Sequence, residues 1–177
     1  MNRLCLSLAT LFTAGSIFTS SALAAKLDFT GYAGSYKATS IVVFGNTVLN
    51  GSNIQFDVAV PENGRQAKIK ILGFGGAASN SGITYTSLLG NFTLTSQRRI
   101  VADNALLAFF VRLPATGRLS GSSKRLNFSL ASSVSGVGDF SATYTLRFTG
   151  KKIIITGTGT ALGGPLSVQY IAKKKHR

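Results

Sequence analysis

Hydrophobic residues in this chain recur at every second position, in short runs separated by Gly, Asn and Ser. The clearest run is NIQFDVAV, where Ile54, Phe56, Val58 and Val60 fall on one side and Gln55 and Asp57 on the other. Successive side chains of a strand point to opposite faces, so this period predicts a half-buried strand. The turn-rich PENG follows, and RQAKIKIL then puts Ala67, Ile69 and Ile71 inward and Lys68 and Lys70 outward. Together they predict a hairpin whose outer face brings Asp57 near one of those lysines. Downstream, RLNFSLAS buries Leu126, Phe128 and Leu130, and DFSATYTLRFTG aligns Phe140, Ala142, Tyr144, Leu146 and Phe148. TGKK turns the chain into IIITGTGT. No 3.6-residue apolar period is sustained beyond the N-terminus, and about ten strands are expected between Leu27 and Ala172.

ALLAFFV, Ala105 to Val111, is apolar at every position. It reads as the second strand of a hairpin turned at Asp103 and Asn104 and covered on both faces; uncovered, it would be a sticky patch for a partner or lipid. Three pairs of segments resemble each other in order at offsets of roughly 70 to 75 residues. LNGSNIQFDV matches LSGSSKRLNFSL, AKIKILGFG matches ATYTLRFTG, and TYTSLLGNFTL matches TGTALGGPLSV. They suggest two similar halves, near 27–97 and 98–172. The expected fold is all-β: a single antiparallel β-sandwich or barrel-like domain of about ten strands. A membrane-spanning barrel alternates in the same way. Here, however, many non-core positions are basic and the chain closes on lysines, which favours a soluble domain.

The first 25 residues read as a cleaved signal peptide: Arg3, an apolar core from Leu4 to Phe18, and SALAA with small residues at the cleavage spacing. The mature chain, residues 26–172 plus a basic tail at 173–177, is therefore expected to be secreted or periplasmic. Its only cysteine, Cys5, leaves with the signal, so no disulfide or thiolate metal site is expected. Charge is the other strong feature: 19 Lys and Arg stand against 5 acids. The tail holds Lys173, Lys174, Lys175 and Arg177, and the body carries most of the rest. Such a balance favours anionic partners, although high charge also keeps a secreted domain soluble.

Several chemistries find no residues to carry them. Ser-His-Asp or Cys-His catalysis needs a positioned imidazole, and the single histidine is His176, next to the C-terminus. The five acids, Asp28, Asp57, Glu62, Asp103 and Asp139, each read as turn or surface residues rather than as a glycosidase pair. The glycines of GFGG and GTGT precede no helix and so read as bends, not as a phosphate loop. Nucleic acid is disfavoured because the aromatics fall mainly on the core side, Tyr32 and Tyr36 excepted. Asn91 and Asn127 sit in glycosylation sequons, which act only in a eukaryotic secretory route.

Two non-enzymatic readings remain, neither with a cofactor. In the first, a basic face and tail associate with an anionic surface, polymer or lipid head groups through Lys173, Lys174, Lys175 and Arg177, joined by Arg98, Arg99, Lys124, Arg125, Lys151 and Lys152. In the alternative, a β-barrel or clam-like cavity carries a small apolar or lipid-like ligand, with Phe109, Phe110, Tyr144 and Phe148 as contacts.

Overall fold

A computed structural model of the chain describes residues 26–76, 84–105, 113–135 and 138–175, the side chains of 74–76, 84–89 and 134 excepted. The expected signal (1–25), residues 106–111 of the apolar run, and His176 and Arg177 lie outside the described residues. Ten strands form: β1 (Gly34–Phe44), β2 (Thr47–Ala59), β3 (Gln66–Gly76), β4 (Thr84–Thr95), β5 (Arg99–Ala102), β6 (Ala115–Ser122), β7 (Arg125–Val134), β8 (Gly138–Phe148), β9 (Lys152–Ala161) and β10 (Gly164–Lys174). Each pairs antiparallel with its sequence neighbours, and β1 pairs with β10, closing a barrel with no free edge.

The period-two pattern becomes lumen and exterior. Ile54, Phe56 and Val58, Ala67, Ile69 and Ile71, and Phe140, Ala142, Tyr144 and Leu146 all point into the buried interior. Asp57 sits outward, opposite Lys70 as the hairpin requires. The lumen is apolar and the outward positions are largely Ser, Thr, Lys and Arg, the reverse of a membrane-spanning barrel, whose apolar band faces outward.

Three expectations change. Asp103 and Asn104 do not turn a hairpin into ALLAFFV: β5 pairs with β6, Ala102 opposite Ala115, so Ala115–Ser122 is the second strand. Asp103 instead continues beside β4, its N–H donating to the Asn91 carbonyl at 2.8 Å and its carboxylate accepting from Asn91 Nδ2 at 2.7 Å. Secondly, the basic tail is largely strand. Lys173 and Lys174 complete β10, and the Lys175 N–H donates to the Ser35 carbonyl at 2.9 Å. Thirdly, Tyr32 and Tyr36 are buried, not on an open face. Of the matched segments, Leu49–Val58 lies within one strand whereas Leu119–Leu130 spans the β6–β7 turn.

In an up-and-down barrel, alternate turns emerge at the same end. The turns β2–β3, β4–β5, β6–β7 and β8–β9 share one end with the start of β1 and the finish of β10. The segment before β1, including the 3-10 turn Thr30–Tyr32, lies over this end and buries Leu27, Phe29 and Tyr32. It is fastened by Phe29 N–H to the Gly64 carbonyl (3.0 Å) and Asp28 N–H to Ser123 Oγ (2.9 Å). Tyr32 adds a hydroxyl bond to the Ser123 carbonyl and a stack on Phe148 with ring centres 4.2 Å apart. Gly64, at φ +62, closes the β2–β3 turn in the left-handed region where a Cβ is disfavoured. We call this the capped end and the other the mouth.

Candidate functional site

Towards the capped end the lumen holds mostly large apolar side chains. Tyr36, Phe56, Ile69, Leu126, Leu146, Ile153, Ile155 and Ala172 are fully buried there or at mid-height. Towards the mouth, the wall of β8, β9 and β1 mixes small residues, Ala142, Gly157, Gly159, Ala161, Ala38 and Ser40, with the larger Phe140 and Val42. Gly157 has a specific cause: a Cβ there would overlap the ring of Tyr144 on the neighbouring strand.

Tyr144 occupies the middle of the lumen, stacked on Phe128 with ring centres 5.3 Å apart. Its hydroxyl donates to the Ala105 carbonyl at 2.7 Å, and Ala105 N–H donates to the Leu113 carbonyl at 2.6 Å. The two described ends of the β5–β6 connection are thus pinned together beside a lumen tyrosine, and both are buried. Of the four apolar residues singled out above, Phe109 and Phe110 fall outside the described residues, and Tyr144 and Phe148 are separated. Phe148 is spent at the capped end, stacked on Tyr32.

At the mouth, several apolar side chains reach solvent. Leu49, paired with lumen-facing Val42, is 43% exposed at the rim. Val48 and Ile41 are exposed outside it, and Leu162 is exposed on the β9–β10 turn at φ +51. Slight exposure occurs at both ends of the lumen: Ser40, Ala115 and Val42 towards the mouth and Val58 at the capped end.

The described basic residues are distributed just as unevenly. Arg98 and Arg99 lie at the β4–β5 turn, Lys124 and Arg125 at β6–β7, Lys151 and Lys152 at β8–β9, and Lys173, Lys174 and Lys175 at the finish of β10. All nine meet at the capped end. They are joined in that half of the barrel by Lys26, Lys37, Arg65, Lys68, Lys70, Arg118 and Arg147, against the carboxylates of Asp28, Asp57 and Glu62. The mouth half has Asp103 and Asp139 and, among the described residues, neither lysine nor arginine. Local bonds hold several of these groups in place. Lys175 Nζ donates to Gln55 Oε1 at 2.6 Å, Arg98 donates to the Gly121 carbonyl at 3.0 Å, and the Lys174 ammonium stands 5.8 Å from the centre of the Tyr36 ring. Arg98, Arg99 and Arg118 line a shallow recess of about 750 Å³.

The acids have structural partners. Thr30, through its hydroxyl and its N–H, bonds Asp28 and holds that carboxyl below the usual range, and Asp57 accepts from Ser35 Oγ and Gln55 Nε2.

No protein-family model matches the chain, and no curated protein does. A solved structure has a similar barrel. It is the S-type phycobiliprotein lyase CPES from Guillardia theta, with a TM-score of 0.50 and 11% identity over 84% of this chain and 91% of that one. At that identity the likeness establishes the fold alone.

Sequence reasoning missed Lys37, Arg118 and Arg147 as members of the basic end. Each is a single charge inside a strand rather than part of a doublet. The usable signal is the meander itself, because counting turns from either terminus assigns every doublet and strand end to one pole.

Proposed function

We propose that this protein is a non-enzymatic carrier of a small apolar ligand, exported by the cell that makes it, with the ligand held in the mouth half of the barrel. One observation carries the reading: among the described residues, a mainly apolar lumen covered at one end and, at the other, with small residues among those of its wall and exposed Leu49 on its rim. Ten strands enclose more width than eight, and eight already suffice to hold one small ligand. Binding sites of this class are concave and mainly apolar, with few polar groups. The Tyr144 hydroxyl, bonded to Ala105, and Ser40 are polar groups within reach of such a ligand, and Tyr144 couples it to the β5–β6 connection. The name of the similar structure, a phycobiliprotein lyase, is compatible with a barrel that works on a specific molecular target.

The test is titration of the purified mature chain with Nile red at low and high salt, together with mass spectrometry of an organic extract. Saturable binding that ignores salt is expected, and Ser40→Phe, which fills the mouth half, should weaken it by at least about tenfold. Thr39→Phe, on the outer face of the same strand, should leave it unchanged. An empty extract combined with no saturable binding would sink the carrier reading.

A further inference from the structure

We infer that the capped end docks flat on an anionic bilayer, so that the barrel stands on its basic pole with the mouth directed away from the membrane. The inference is independent of what the lumen holds. Several basic residues at this pole lie directly opposite other basic residues. Lys37, Lys173 and Lys152 stand side by side across β1, β10 and β9, all exposed. Arg99 faces Arg118 across β5 and β6, and Arg125 faces Arg147 across β7 and β8. Like charges directly opposite one another destabilise a sheet, so three such groupings at one pole cost stability with no return from an acid directly across the strands among the described residues. An external anionic layer supplies the return.

The shape of the charge selects the partner. The basic residues run round the rim from β3 through β1, β10, β9, β8 and β7 to β5 rather than forming one stripe. A linear polyanion engages a stripe, whereas a ring around the end of a cylinder is coplanar and fits a flat surface. The three acids of that half, two of them bonded to neighbouring side chains, do not divide the ring. The potential of an anionic leaflet decays within a Debye length of about 8 Å, so only charges at the pole itself feel it strongly.

Flotation of the mature chain with vesicles tests this, using phosphatidylglycerol mixed with phosphatidylcholine against phosphatidylcholine alone. Binding to the anionic vesicles only, reversed by high salt, is expected. The triple variant Lys151→Gln, Lys152→Gln, Lys173→Gln should lower affinity about a hundredfold, at about fivefold per basic residue. Its melting temperature should hold or rise, because the change relieves the lysine row; that separates docking from a fold defect. Val48→Ser with Leu49→Ser at the mouth should change binding less than about twofold. Equal affinity for neutral vesicles, or loss of binding in the mouth variant alone, would overturn the inference in favour of an apolar contact. Salt-sensitive binding to soluble polyphosphate with no binding to vesicles would overturn it in favour of a polymer.

Discussion

Burial among apolar side chains keeps the phenols of Tyr144, Tyr32 and Tyr170 protonated well above the ordinary tyrosine range and pushes Tyr36 up to about 12. Loss of hydration is the main cause in all four, and Tyr32 and Tyr144 are raised further by a neighbouring tyrosine, Tyr36 and Tyr170 respectively. In the unfolded chain a tyrosine ionises near pH 10. Above that pH the unfolded state has shed protons that the barrel still holds, so the tyrosines' contribution to stability is constant below about pH 10 and is lost as pH rises towards the folded values. Alkaline titration should therefore show phenolate absorbance appearing together with loss of β-sheet circular dichroism, in one cooperative step. Strand parity placed Tyr144 on the core face in advance. It failed for Tyr36, because in SYKATSIVVF the strongly apolar Ile41 and Val43 face outward while Ala38 and Ser40 share the lumen face with Tyr36.

Among the elements, the segment before β1 has the largest structural consequence for its length. Phe29 is fully buried and meets Tyr32 edge-on with ring centres 5.5 Å apart. Phe29→Ala should cost about 3–5 kcal/mol, the range for deleting a buried ring, as read from urea denaturation. Amide exchange should accelerate first at the β2–β3 and β6–β7 turns, to which this segment is fastened. The role was not legible beforehand: Leu27 and Phe29 alternate as a strand would, and only the tertiary fold decides that they fold over the end of the barrel. The β5–β6 connection escaped for a related reason. A run that is apolar at every position has no period to orient it, and β5 takes Ala115–Arg118 as its partner instead.

For the molecule as a whole, closure depends on β1 meeting β10 from opposite ends of the chain, the pairing with the highest entropic cost. Thr39 and Ile171 are directly opposite across that seam, and the expected mature chain contains no cysteine of its own. A disulfide from Thr39→Cys and Ile171→Cys should stabilise the oxidised barrel by about 2–4 kcal/mol, seen as a higher urea midpoint that reverts on reduction. The same closure makes the C-terminal lysines part of the sheet, so truncation after Ala172 would remove strand pairing along with charge. Neutralisation at Lys173 is the cleaner way to ask what that charge does.

The sequence by itself determined the all-β class, the number of strands, the inward face of most of them and the excess of basic charge. These follow from local rules: side-chain alternation in a strand, turn chemistry, and simple counting. Whether the strands closed as a barrel or stacked as a sandwich was decided only by the pairing of β1 with β10, a contact that no local pattern encodes. The same closure gathered Arg99, Lys124, Lys152 and Lys173 at one pole. Charges far apart along the chain become neighbours because an up-and-down meander returns every second turn to the same end.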